Sequence, residues 1–169
     1  MKLNLREIIL LSIFGVIMLI SKLLMEFLPN CHLLGVLIVT FTVVFRWKAL
    51  IPIYIYVFLN GLVAGFNVWW VPYLYIWTIL WALTMLLPRF KSDYVNAGLY
   101  VAVCGLHGFL FGTLYAPAQA LLFGLDFKGT IAWIIAGFPF DIVHGVSNLL
   151  LGTLIFPLTK VLKKITKQT

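Results

Sequence analysis

Three residues that can do chemistry stand close together near the end of the chain: an acid, an imidazole and a carboxamide at Asp141, His144 and Asn148. They lie inside the last long apolar run, Thr130 to Leu158, within the stretch Gly-Phe-Pro-Phe-Asp-Ile-Val-His-Gly-Val-Ser-Asn. Offsets of three, four and seven residues put all three on one face of a helix. Ionisable groups on a membrane-buried helix are costly and turn towards the protein interior or a wet cavity. The stripe therefore reads in two ways, as an inward-facing ligand site or as a polar seam joining helices. Gly137 and Pro139 loosen the backbone just before it, where a carbonyl freed by the proline needs another partner. Ser147 continues a spacing of three from Asp141 and His144, which invites a nucleophilic triad. Each step of three falls about 60° short of a full helical turn, so Ser147 drifts off the face of Asp141. No separate element offers an oxyanion hole. The sequence has no His-Glu-x-x-His run, phosphate-binding glycine loop or Cys-His metal spacing, and His32, His107 and His144 stand far apart. The expectation is a protein that is not an enzyme, with no metal and no cofactor. Any use of ATP would need a partner.

A second concentration of useful groups runs Asn67-Val68-Trp69-Trp70-Val71-Pro72-Tyr73-Leu74-Tyr75-Ile76-Trp77. These rings fit an interfacial aromatic belt or the stacking wall of a pocket. Trp69, Tyr73 and Trp77 repeat every four residues and share a helix face, with Trp70 and Tyr75 off that row.

The elements that must position these groups are set by composition. Of 169 residues, 63% are hydrophobic and 10% charged, with a mean hydropathy of +1.10. A soluble domain is nearer one quarter charged. At ~20 residues per spanning helix, the chain accommodates six spans in one domain, residues 1–169: an all-α, multi-pass integral membrane protein. Span one runs from about Leu5 to Leu28 and ends at the turn signal Pro29-Asn30, with Lys22 and Glu26 four apart and able to pair. Span two covers His32 to Phe45 and stops at Arg46-Trp47-Lys48; span three follows from Ala49 to Phe66. Span four, Val68 to Leu87, is closed by Pro88-Arg89. Span five, Tyr94 to Tyr115, carries glycines at 98, 105, 108 and 112 that permit close helix packing. The segment from Ala116 to Gly129 reads as the longest connection, at the interface. Span six comes next, then a tail from Lys160 to Thr169. Cys31 and Cys104 read as small apolar residues, too few for a disulfide framework.

Charge orients the spans. With six of them, Lys2, Arg6, Arg46, Lys48, Arg89, Lys91, Lys160, Lys163, Lys164 and Lys167 fall on one side, ten of the twelve basic residues. The opposite loops hold only Lys128. The positive-inside rule places both termini in the cytoplasm. It also accounts for the net charge of +7 without nucleic acid as a partner. Asn30, His32, Asn60, Asn67, Trp69, Trp70, Tyr73, Gln119 and Trp133 then gather towards the outer leaflet, with Asp141, His144 and Asn148 reaching down from there. The pattern is a cup open to the outside. Such a cup suits a flat or conjugated ligand with amide or hydroxyl edges, and the outward half lacks the arginine that a free phosphate ester would want.

The length, the six spans, the outward aromatic cup and the Gly-Phe-Pro-Phe-Asp-Ile-Val-His-Gly-Val-Ser-Asn stretch together resemble the substrate-binding (S) components of energy-coupling-factor (ECF) vitamin transporters, over essentially the whole chain. Phe27-Leu28-Pro29-Asn30 and the aromatic Trp69 to Trp77 segment look most like the branch that includes cobalamin importers. The resemblance implies an S component in the cell membrane that captures a vitamin from outside. It implies three protein partners, a scaffold membrane protein and two cytoplasmic ATPase subunits. Ligand contacts are expected from Asn60, Asn67, Trp69, Trp70, Tyr73, Trp133, Asp141, His144 and Asn148. Docking in that family uses small residues four apart on span one; this chain offers Ser12 and Gly15, three apart. Corrinoid, pteridine and thiazole-pyrimidine ligands all fit the cup. The rival readings are a non-transport membrane scaffold, for which the polar stripe is structural, and an autonomous secondary transporter, which would usually show an internal inverted repeat.

Overall fold

Most of the chain's local signals are helix signals, and a computed structural model, which describes residues 3–166, is helical throughout, with no strand among the described residues. Helix α1, Leu5–Leu24, starts in a capping box: the Asn4 side chain accepts from the Glu7 amide at 2.8 Å and Glu7 accepts from the Asn4 amide at 3.2 Å. The chain then turns through Met25–Asn30, where Asn30 takes a positive φ of 57°, at the expected Pro29-Asn30 signal. Lys22 and Glu26 form the expected pair at 3.3 Å.

Five apolar helical stretches are long enough to cross a membrane: Leu5–Leu24, Leu34–Ala64, Val68–Leu86, Asp93–Phe123 and Phe127–Gly152. The second is folded back on itself. Helix α2, Leu34–Phe45, and helix α3, Leu50–Ala64, meet at a 3₁₀ turn over Arg46–Ala49, with Arg46 at φ 56°. Phe14 of α1 stacks on Phe41 and touches Phe45, whereas Gly15 of α1 packs under Pro52 and Ile55. Glu7, at the start of α1, pairs with Lys48 in the turn. Helix α1 is thus antiparallel to α2 and parallel to α3, so the two arms run in opposite directions, as expected for spans two and three. A one-turn helix, Val68–Trp70, leads into α4, Tyr73–Leu86.

The segment beyond Tyr115 is where sequence and structure part. Helix α5, Asp93–Phe109, bends at Leu110 and continues as α6, Phe111–Phe123. The Ala116–Gly129 stretch is therefore not a long interfacial connection. Most of it is helix, and the link to the next helix is three residues, with Gly124 at φ 63° as the left-handed stop. Pro117 is the seventh residue of α6, inside the helix, so the amide it lacks leaves the Thr113 carbonyl without its usual helical donor. Helix α7, Phe127–Gly152, capped by Asp126, lies antiparallel along the whole bent rod. Gly152 packs on Val101, Leu149 on Gly105, Gly145 on Gly108, Asp141 on Gly112 and Trp133 on Tyr115.

A second correction falls at the end of the chain. Span six does not run on to Leu158. It stops at Gly152, and after a turn at Thr153–Leu154 a separate helix α8, Ile155–Thr166, packs against α2. This helix is amphipathic, with Ile155, Thr159 and Leu162 buried and Lys160, Lys163 and Lys164 exposed. The charge arrangement read from sequence persists in space: Lys48 pairs with Glu7, Lys160 meets Asp93 at 3.5 Å, and Arg46 donates to the Met85 carbonyl, all at one end of the bundle. Lys2 and Lys167 lie outside the described residues.

Candidate functional site

On α7 the usual burial pattern is inverted. Its polar and small residues Asp141, His144, Gly145, Ser147 and Asn148 are buried, while Phe138, Phe140, Ile142, Val143 and Val146 are exposed. A helix whose greasy side faces outward is what a lipid environment selects. The buried stripe meets the bent rod. At the bend, the Gly112 amide donates to both carboxylate oxygens of Asp141, at 2.9 and 3.1 Å. An amide at the start of a helix has no partner in its own helix, and Asp141 supplies one from across the interface. Glycine is needed at 112 because a Cβ there would stand 2.6 Å from Asp141 Oδ2. Two turns deeper, Asn148 Nδ2 donates to the Cys104 carbonyl at 3.1 Å. Asp141 and Asn148 are thus the two clasps of a seam between α7 and the rod.

Between the clasps the geometry changes character. His144 makes no hydrogen bond through Nε2; its ring packs edge-on against His32 and Phe111, at centroid distances of 4.8 and 4.9 Å. His32 in turn faces Trp77, and Trp77 faces His107 and Tyr56. The three histidines that stand far apart in sequence converge on one core. His107 Nε2 reaches the Ile76 carbonyl at 3.1 Å. His32 Nδ1, Tyr56 Oη, Trp77 Nε1, His107 Nδ1 and His144 Nε2 are buried with no partner among the described residues. Five such atoms around one cluster are unusual, since buried polar groups are nearly always bonded. Among the described residues, no group of acids, cysteines and histidines has the geometry to hold a metal ion.

Two cavities open above this cluster and share Asn30. One, about 170 Å³, is lined by Lys22, Met25, Glu26, Leu28, Pro29, Asn30, Cys31 and His32. The other, about 200 Å³, is lined by Asn30, Phe111, Gly112, Tyr115, Trp133, Gly137, Phe140 and Asp141. His144 touches a wall of each, through His32 and Phe111. Tyr115 stacks on Trp133 at 5.7 Å and 21°, and its hydroxyl donates to the Trp69 carbonyl at 2.9 Å. The second cavity therefore has an aromatic side, a carboxylate floor and an amide corner at Asn30.

Of the nine ligand contacts expected from sequence, Trp133 and Asp141 line the second cavity, and Asn30 and His32, also placed in the outward cup, line these cavities too. His144 lies directly beneath. Trp69, Tyr73 and Trp77 share one face, as their spacing implied, and the structure turns that face inward: the rings lie edge-on to one another at 5.5 Å and lead to the histidine core. Asn148 sits below, held by Cys104. Trp70 is turned away: its Nε1 donates to the Val57 carbonyl at 2.8 Å and its ring packs on Phe66, bracing α3. Asn67 is exposed and caps the turn that follows it through the Val68 amide. Asn60 is buried in α3, with its carbonyl oxygen unpartnered. Gly15 is not available to a partner, being enclosed by Pro52 and Ile55; Ser12 spends its hydroxyl on the Ile8 carbonyl. Phe111, Tyr115 and Phe140 were missed. Their only signal was aromatic character near a polar stripe, and the expected connection after Tyr115 hid that α6 continues past it.

No family model matches the chain, and no curated protein or solved structure is significantly similar to it.

Proposed function

We propose that the chain is the S component of an ECF vitamin transporter, capturing a small vitamin from outside the cell membrane for ATP-driven uptake. The observation that carries this reading is the paired cavity around Asn30, floored by Asp141 and the His32–His144 core and walled by Phe111, Tyr115 and Trp133. The cavity lies at the end of the bundle away from the basic cluster. By the positive-inside rule that end faces outward, with both termini cytoplasmic and α2 and α3 counted as separate spans. Of the unpartnered groups, His32 Nδ1 belongs to a residue at a cavity wall, where the polar edge of a heterocycle satisfies it. Cavities of 170 and 200 Å³ are small beside typical ligand sites of roughly 300–1,000 Å³. That favours a compact thiazole-pyrimidine or pteridine over a corrinoid. Since no nucleotide-binding motif is present in the sequence, a scaffold membrane protein and two cytoplasmic ATPases supply the energy.

Mass spectrometry of small molecules that co-purify with the detergent-solubilised chain tests the reading and names the ligand; a chain that stays empty in vitamin-rich medium and binds none on titration refutes it. In liposomes the chain alone is expected to bind its ligand without accumulating it, with uptake restored by an energy-coupling module and internal ATP. The autonomous secondary transporter has one feature in its favour, the Asp141 carboxylate at a broken helix, since intramembrane acids and interrupted helices mark ion coupling. Accumulation by the chain alone would establish it. Cysteines placed at Lys128 and Lys91 are expected to label from outside and inside respectively.

A further inference from the structure

At the opposite end of the molecule an apolar groove of about 690 Å³ runs between α1 and α8. Leu5, Ile9, Ile13 and Phe14 form one wall, Leu162 and Ile165 the other. Ile9 and Ile13 are half exposed, so the groove is open on its outer side. Towards the middle of the bundle it leads to a further apolar hollow of about 170 Å³, reached by Ile17 and sharing Phe14, Leu162 and Ile165. In the other direction it leads to a polar chamber of about 200 Å³ that holds Asn4, Arg6, Glu7 and Lys48. Arg6 and Leu10 line both the chamber and the groove. The depression is therefore greasy along most of its length and cationic at one end.

Its dimensions match one class of occupant. From Leu5 to Ile17 the depression follows α1 for about 18 Å, at 1.5 Å per residue. One leaflet of the hydrocarbon core is about half of ~30 Å. Within the chamber Glu7 is paired with Lys48, which leaves the guanidinium of Arg6 as its uncompensated charge among the described residues. The neighbouring last turn of α8 adds Lys163 and Lys164. Basic groups at the cytoplasmic end of an apolar surface are what anionic lipid headgroups seek. A docked transmembrane helix would fill the groove equally well but gives no use to a cationic chamber at its end.

We infer that the α1–α8 groove is a binding site for one anionic glycerophospholipid, its acyl chain along Leu5–Ile17 and its phosphate at Arg6. This holds whether or not the chain transports a vitamin.

The test is native mass spectrometry of the purified full chain, given phosphatidylglycerol or phosphatidylcholine with identical acyl chains. One phosphatidylglycerol is expected to remain bound preferentially. Arg6→Gln is expected to reduce that preference about fivefold, as for loss of one basic residue near an anionic surface. Ile13→Trp, a change at a half-exposed position that leaves the core intact, is expected to abolish retention of both lipids by filling the groove. Arg89→Gln, on the same side but outside the groove, is expected to change nothing. Equal retention of the two lipids, or an unaltered preference in Arg6→Gln, overturns the inference. So does competition by glycerol phosphate alone, which would assign the chamber to a free phosphate. Protection of Ile9→Cys from a lipid-soluble thiol reagent by a second copy of the chain, with no lipid retained, would make the groove a protein interface and also overturn it.

Discussion

Helix α7 and helix α1 are both long and apolar, and both lie at the edge of the bundle, yet they pack in opposite ways. Helix α7 touches the α5–α6 rod backbone to backbone: a Cβ at Gly108 would stand 2.8 Å from the Gly145 Cα and 2.9 Å from the His144 carbonyl. Every buried side chain on α7 is polar. Helix α1 approaches α3 through one glycine, buries Leu11, Met18 and Leu19, and leaves Ile9, Ile13, Val16 and Ile20 facing outward. In a bilayer, apolar surface gains little by leaving lipid for protein, so helices are held by close contact and by polar bonds. The α7 side has both; α1 also comes close to α3 at Gly15, but its side-chain polar tie to the rest of the bundle is the Glu7–Lys48 pair at its start.

The contrast can be broken most severely at Gly108. Gly108→Ala places a methyl group against the Gly145 and His144 backbone of α7, which cannot yield, and against the Asn148 side chain that clasps Cys104. A loss of about 3 kcal/mol is expected, the upper end for overpacking, read as a large fall in melting temperature in detergent. The clasps come next. Asn148→Ala removes the donor to Cys104 and is expected to cost about 1–3 kcal/mol, with the change in melting temperature exceeding any change in ligand affinity. Asp141→Ala is expected to lower both stability and affinity, because the same carboxylate holds Gly112 and lines the cavity; Asp141→Asn keeps an acceptor for that amide and should retain most of the stability.

The Asn148 result separates a seam from a ligand contact at that position, since a ligand role would move affinity and leave melting unchanged. Trp133→Ala, at the cavity wall, should do the reverse of Asn148→Ala. Losing the stack on Tyr115 and on a bound ring weakens binding by about 0.5–1.5 kcal/mol per ring pair beyond burial, with thermal stability nearly kept. Calorimetric titration of the co-purified ligand reads the first quantity and a melting curve the second. The smallest effect is expected at Gly98, where an added methyl group would meet nothing within 4 Å on the exposed side of α5. Gly98→Ala should stabilise by roughly 0.5–1 kcal/mol through helix propensity alone. A loss as large as that at Gly108 would mean the two glycines share a packing role, and the contrast would fail.

Much of this was legible in the sequence because it depends on neighbours along the chain. The turns at Pro29-Asn30 and Arg46–Lys48, the Lys22–Glu26 pair, the inward face shared by Asp141, His144 and Asn148, and the Trp69–Tyr73–Trp77 row all follow from short-range spacing. What stayed hidden depends on distant partners. Nothing local shows that the Gly112 amide is left without a helical acceptor, so nothing shows that Asp141 supplies one. His32 and His144 meet only because the α1–α2 link and α7 reach the same depth. Helix α6 was obscured by Pro117 and by a composition that reads equally as interfacial loop. Helix α8 was obscured because its first residues prolong the apolar run of span six, and only the turn at Thr153 separates them.

The Tyr115 hydroxyl on the Trp69 carbonyl has a consequence for timing. That bond and the Tyr115–Trp133 stack join the segment before α4 to α6 and α7 along the aromatic side of the second cavity. Separating these elements there breaks one neutral hydrogen bond and one ring contact, a barrier of a few kcal/mol at most. A bond that weak opens and recloses often, so entry would be governed by how frequently the latch is open and residence by how firmly the ligand itself holds it shut. Tyr115→Phe would then speed both arrival and departure, leaving the equilibrium affinity far less changed than either rate.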